Sequence, residues 1–191
     1  MSAVDLKKHR DEIEGLVEEV KEGSHEAFSR IYDLMIDHIY RYVYFRVNKQ
    51  DAEDITETVF LKVWENIGKY KPVKKQFTSW VFRIAHNLVV DYYRTKKDQT
   101  VDELKVQIQD YKREHNPIKM AERSINSDLL KEAISNLKKN YQEIIIHKFI
   151  NELTNREISK ILKRSEGSIR ILQHRALKAL RRELEELGAT I

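Results

Sequence analysis

Thr154, Glu157, Ser165, Arg170, His174 and Arg175 have types and spacing that carry chemistry, and that chemistry is hydrogen bonding and charge. Thr154 followed by Glu157 has the form of a capping box: the hydroxyl takes the amide three residues on and the carboxylate reaches back. Ser165 is a second helix start. Behind the first cap come Ile158, Ile161 and Leu162. Behind the second, Ile169, Leu172, Ala176, Leu180, Leu184 and Leu187 recur at steps of three or four and so share a buried stripe. At about 100° per residue the opposite face must then hold Arg170, Ile171, His174, Arg175, Lys178, Arg181 and Arg182. Two helices, a tight turn and a basic second helix form the pattern of a DNA-reading helix-turn-helix, in which arginine bonds phosphate oxygens or, bidentately, a guanine edge. The competing reading is a solvated basic face with no ligand. Charge concentration decides against it: residues 153–182 hold nine Lys or Arg and two acids, a balance of +7 in a chain whose net charge is +4.

Two further constellations stand upstream. The stretch Asp51 to Ile67 (DAEDITETVFLKVWENI) predicts a helix that buries Ala52, Ile55, Val59, Val63 and Ile67, with Phe60 and Trp64 widening the stripe. Its other face lines up Asp54, Glu57, Leu61 and Glu65, one apolar residue among carboxylates. Such a face suits a basic, partly apolar partner helix, with Leu61 as anchor and the acids steering the approach. Acids in a first turn also simply favour the helix macrodipole, and a single exposed leucine needs no explanation. On the residues alone both readings stay open. A metal site from Asp51, Asp54 and Glu57 is disfavoured, because a spacing of three brings at most two carboxylates to one ion. The stretch 69–97 is a second basic region, with eight Lys or Arg against Asp91. Phe77, Trp80, Val81, Ile84, Leu88 and Tyr92 are its expected buried stripe, with Trp80 in the core. Arg83, Asn87, Asp91 and Arg94 share another face, which an internal hydrogen-bonded ladder would explain; the alternative is that the basic loops, with Tyr70 and Asn87 close by, form a single-strand surface where cations hold the backbone and bases are stacked or edge-read.

The elements that must position these residues are helices. Five glycines and two prolines in 191 residues are too few for a chain of hairpins, and the apolar spacing is helical nearly throughout. The expected fold is all-α: two small helical domains joined by a linker, the second containing the helix-turn-helix. The boundaries are 1–97 for the first domain, 98–125 for the linker and 126–191 for the second. A short helix, a break at Gly23 and Ser24, a longer helix to Val47, a third from Asp51 and a fourth from about Phe77 to Arg94 make up the first domain. Leu129 to Leu137, Tyr141 to Ile150 and the helix-turn-helix make up the second. The chain has no cysteine, which excludes disulfides and thiolate chemistry and suits a reducing compartment. No run approaches the roughly 20 apolar residues of a membrane span, and the N-terminus lacks the apolar block of a signal peptide, so a cytoplasmic protein without membrane insertion is expected. Seven histidines lie scattered without metal-ligand spacing, and no nucleophile-base pair or phosphate loop is visible. Neither enzyme activity nor a cofactor or metal is expected.

In order and spacing, DAEDITETVFLKVWENI, FTSWVFRIAHNLVVDYYR and ELTNREISKILKRSEGSIRILQHRALKALR closely resemble the bacterial RNA polymerase sigma factors of the extracytoplasmic-function group, over nearly the whole chain. The resemblance implies a specificity subunit that binds core RNA polymerase, directs it to promoters and helps open the duplex, with no chemistry of its own. It assigns Asp54, Glu57, Phe60, Leu61 and Glu65 to the polymerase-docking face. It assigns Tyr70, Lys74, Lys75, Ile84 and Asn87 to capture of a flipped-out minus-10 base, which traps the melted single strand at an unstacking cost of about a few kcal/mol. The recognition helix would meet the minus-35 duplex through Arg170, Ile171, His174 and Arg175, with Arg164, Ser168 and Lys178 placed toward phosphates. An anti-sigma partner is common in the group. Relatives commonly carry a polar residue, an arginine and an apolar residue where this chain has Ile171, Leu172 and Gln173; an isoleucine there favours a thymine methyl over a hydrogen bond. The rival reading is a stand-alone helix-turn-helix repressor or activator, which would bind a palindromic duplex without a partner.

Overall fold

The computed structural model describes residues 6, 8–71, 77–99 and 128–189. Every regular element among them is helical. The chain divides into two compact units, one of residues 1–104 with 160–163 and one of residues 105–159 with 164–191.

In the first unit α1 (Arg10–Lys21) packs on α2 (His25–Tyr44), and α2 on α3 (Lys49–Asn66) and α4 (Phe77–Gln99). The break at Gly23 and Ser24 has a local cause. Gly23 takes φ +102°, a left-handed value that costs glycine little, and Ser24 N–H then bonds Glu19 O at 3.0 Å, closing α1 in a Schellman turn. Ser24 turns round at once: its side chain accepts from Ala27 N–H and starts α2. α3 begins at Lys49, two residues before the expected start, because the Asn48 side chain accepts the Asp51 N–H at 2.9 Å. A 3₁₀ turn, Ile67–Lys69, ends it. The core runs between these helices through Ile13, Val17, Ile31, Met35, Tyr42, Val59, Val63, Phe77, Phe82 and Val89.

α4 departs from expectation twice. It continues past Arg94 to Gln99, so its last turn occupies the start of the expected linker; the rest of that linker lies outside the described residues. Its buried face is also rotated. Phe77, Thr78, Ser79, Val81, Phe82, Ala85 and Val89 are buried, whereas Trp80, Ile84, Leu88 and Tyr92 are half-buried. The helix carries two apolar stripes about a third of a turn apart, and the sequence reading merged them into one.

In the second unit a helix over 128–136, here α5, buries Ala133 and Ile134. The Gln142 side-chain amide donates to Ser135 O and Leu137 O, satisfying carbonyls that α5 leaves open at its end. The expected helix over 141–150 is in fact two forms. α6 (Lys139–Ile145) widens into a π turn, Ile146–Ile150, closed by Asn151 N–H on Ile146 O, and all six residues from Gln142 to His147 are buried. Within that run His147 Nε2 lies 3.3 Å from Glu143 Oε2. α7 (Asn155–Leu162) and α8 (Glu166–Glu186) form the helix-turn-helix. No helix among the described residues is long and apolar enough to cross a membrane.

Candidate nucleic-acid interface

The turn between α7 and α8 is built from hydrogen bonds that the sequence announces. Thr154 N–H and Oγ1–H both donate to Glu157 Oε2, at 2.8 and 2.6 Å, and Glu157 N–H donates to Thr154 Oγ1 at 3.3 Å, a complete capping box. α7 closes with Lys163 at φ +52° and Arg164 N–H on Ser159 O at 3.0 Å, a Schellman turn made by a lysine in the left-handed region. Ser165 then accepts from Ser168 N–H at 3.2 Å and α8 begins. Ile158, Ile161, Ile169 and Ala176 are buried beneath the two helices. That packing leaves Arg164, Arg170, Ile171, His174, Arg175, Lys178, Arg181 and Arg182 exposed, and Ser168 half-buried at the first turn. Ile171 is 56% exposed in the middle of this basic face.

The cations on α8 are not equivalent. Arg181 Nε pairs with Glu185 at 2.9 Å, and Arg182 reaches Glu183 and Glu186 at 3.5 Å each. Among the described residues no acid pairs with Arg170, Arg175 or Lys178. The free positive charge therefore sits in α8 up to Lys178, the part of a recognition helix that enters a major groove, and the helix neutralises its own distal end.

In the first unit a pocket of about 390 Å³ lies between the end of α3 and α4, lined by Lys62, Asn66, Lys69, Tyr70, Trp80, Ile84, Asn87, Leu88 and Asp91. Three residues predicted to act together, Tyr70, Ile84 and Asn87, do meet here; Lys74 and Lys75 lie outside the described residues. Tyr70 is only 8% exposed, so it forms the pocket's floor and does not project as a platform. Its ring meets Phe77 edge-on at 5.2 Å and Trp80 at 5.2 Å. Trp80 corrects the sequence reading: it stands on the second stripe of α4, at the pocket wall, and not in the core. Asp91 was likewise missed; it lines the pocket and carries an exposed 3.7 Å pair with Arg94. An aromatic and aliphatic cleft rimmed by Asn87, Asp91 and two lysines has the composition to stack a base, read its edge and hold its phosphate.

On α3, Asp54, Glu57, Leu61 and Glu65 are exposed on one face, Leu61 at 63%. Phe60 follows the buried stripe read from spacing and not the docking face implied by the resemblance: at 4% exposure it is buried against Tyr32, ring centroids 4.6 Å apart, and presents nothing to a docking partner. Aromatic surface comes instead from Trp64 and Tyr32, 40% and 38% exposed, with Trp64 leaning on Phe28 at 4.8 Å and His25 at 5.1 Å. Asp51 belongs to none of these surfaces. Its carboxylate accepts from Asn48 Nδ2 at 2.7 Å, from Lys96 Nζ at 3.0 Å and from the Tyr92 hydroxyl, tying α3 to α4. Burial pushes its pKa up, but the Tyr92, Lys96 and Asn48 bonds outweigh that and hold it below the usual carboxylate value.

Comparison with known proteins agrees with this division. The family model "Sigma-70 region 2" matches residues 28–99 and "Sigma-70, region 4" matches 127–180. The ECF RNA polymerase sigma factor SigW of Bacillus subtilis is 30% identical over 181 residues, covering 90% of this chain and 96% of that protein. The ECF RNA polymerase sigma factor BldN of Streptomyces coelicolor is 31% identical over 172 residues, 90% of this chain and 65% of that longer protein. In fold, the chain is similar to CnrH, solved with the cytosolic domain of CnrY (TM-score 0.69, 19% identity, 91% of this chain and 97% of that one). It is also similar to the sigma factor RpoE of Bartonella quintana, solved with the anti-sigma factor NepR (TM-score 0.66, 20% identity, 85% and 98%). The chain belongs to the ECF RNA polymerase sigma factors. Its function is to direct RNA polymerase to promoters, and its family is not one of enzymes.

Proposed function

We propose that three separate surfaces divide the work of promoter recognition. The first unit, through Asp54, Glu57, Leu61 and Glu65 with Trp64 and Tyr32 beside them, docks on core polymerase, the acids steering a basic helix onto the apolar anchors. The pocket lined by Tyr70, Trp80, Ile84 and Asn87 receives an unstacked base of the minus-10 element. Holding that base out of the stack offsets an unstacking cost of about a few kcal/mol and so favours the melted strand. The part of α8 up to Lys178 reads the minus-35 duplex, with Arg170, His174 and Arg175 toward base edges, Arg164, Ser168 and Lys178 toward phosphates, and Ile171 toward a thymine methyl. The chain does no chemistry itself and acts in the cytoplasm. Two proteins of the same fold were solved with binding partners, one of them the anti-sigma factor NepR, and a partner of that kind is expected to hold this chain inactive by covering one of these surfaces.

The observation that carries this reading is the pocket, because a repressor that binds intact duplex has no use for a base-sized aromatic cleft away from its helix-turn-helix. The test separates the surfaces with core polymerase present. Leu61→Asp is expected to abolish polymerase association while the isolated protein keeps its helicity. Asn87→Ala is expected to impair opening of a mapped promoter while leaving duplex binding nearly intact. Equal loss of opening and duplex binding in Asn87→Ala contradicts the pocket assignment, and normal association by Leu61→Asp contradicts the docking face.

A further inference from the structure

Helix α1 lies outside the residues matched by the region 2 model, which begin at 28. It nevertheless holds the floor and one wall of the pocket. α4 starts at Phe77, and the residues just before it, Lys74, Lys75 and Gln76, offer no Ser, Thr, Asp or Asn to cap the first turn. The Phe77 amide instead donates to Glu14 Oε1 at 2.9 Å, a side chain 63 residues earlier in the sequence. A carboxylate at a helix N-terminus both accepts an orphan amide and meets the positive end of the macrodipole. Phe77 is fully buried, with its ring 5.2 Å from Tyr70 and 5.4 Å from Trp80, so fixing its backbone fixes the floor and one wall of the pocket.

The same face of α1 also reaches the floor, Tyr70. Lys21 is seven residues from Glu14, two helical turns on, with fully buried Val17 between them. Its ammonium lies 5.6 Å from the centroid of the Tyr70 ring, within cation–π range, and Glu18 holds it from behind at 3.0 Å. α1 also packs on the 3₁₀ turn that delivers Lys69 and Tyr70. One rigid helix thus spans the two chain segments, 67–70 and 77–80, whose separation sets the width of the cleft.

We infer that α1 is the positioning element of the base pocket and that Glu14 is a positioning residue for promoter opening, acting through the Phe77 amide without touching DNA. This inference rests on the pocket reading above. The experiment uses the full chain bound to core polymerase and a single-stranded minus-10 oligonucleotide from a mapped promoter, with each nucleotide in turn intact or abasic. Wild type is expected to prefer the intact strand at one position by about tenfold or more, the scale of one stacked base. Glu14→Ala is expected to lower that preference to about threefold or less while affinity for core polymerase and for the minus-35 duplex is unchanged. Glu14→Gln, whose amide oxygen still accepts from Phe77 N–H, is expected to keep the wild-type preference. If Glu14→Ala retains the full preference, or loses it together with core affinity, the inference is overturned and the pocket stands. If wild type shows no preference at any position, the pocket reading falls and takes the inference with it.

Discussion

Arg175 and Arg182 are one helix and seven residues apart, yet their environments predict opposite outcomes on substitution. Arg175 is exposed and has no acidic partner among the described residues, whereas Arg182 is paired with Glu183 and Glu186. Arg175→Ala is expected to weaken holoenzyme binding to a minus-35 duplex by about 1 to 3 kcal/mol, and Arg182→Ala to change it little, measured by titration at one fixed salt concentration. Ile171 allows a test of a single methyl group. Replacing the contacted thymine by deoxyuridine removes one buried methyl and is expected to cost about 0.8 kcal/mol with wild type and nothing with Ile171→Ala. At this scale the sequence was legible wherever a hydrogen bond is local. The Thr154–Glu157 box and the Ser165 cap span three residues each and appear in the structure as the spacing requires. It was less legible where exposure depends on a neighbouring helix: Phe60 is buried because Tyr32 of α2 covers it, and Trp64 stays accessible beside it.

The elements show the same boundary between local and distant causes. α3 starts where Asn48 accepts the Asp51 amide, and Asn48→Ala is expected to cost about 0.5 to 2 kcal/mol in thermal or denaturant unfolding. The Asp51 carboxylate then links α3 to α4 through Lys96 and Tyr92. Its pKa is lower in the folded protein than in the unfolded chain, so the link contributes fully above the unfolded value of about 3.9 and is lost as pH falls through the folded one. The stability gap between wild type and Asp51→Asn is therefore expected to be constant near neutrality and to shrink on acidification below about pH 4. A gap that stays constant down to pH 3 would show that the link contributes no charge-dependent stability. α4 explains why the pocket could not be read from periodicity. Two apolar stripes on one helix produce a broad average, and only the packing of α1, α2 and α3 tells which stripe is core and which is left to line a cleft. Glu14, the cap of α4, was invisible for the same reason, since nothing in a local window connects positions 14 and 77.

For the whole molecule, the all-α class and the two helical units were within reach of composition and spacing, while the segment between them gave no comparable pattern. If the two proposed DNA surfaces lie on separate units, each alone binds a promoter modestly, and core polymerase is expected to supply the effective concentration that makes them act together. If the proposed surfaces hold phosphates through their lysines and arginines, promoter affinity of the assembled holoenzyme is expected to fall steeply with salt, with a slope that Lys178→Ala reduces by about 1. The most direct measurement is transcription in vitro on the genomic DNA of the source organism by core polymerase with and without this chain, with every start site mapped. The account predicts a defined set of new starts, each preceded by two shared sequence elements at constant spacing and absent without the protein. No new starts, together with tight binding of the protein alone to a palindromic duplex, would contradict it.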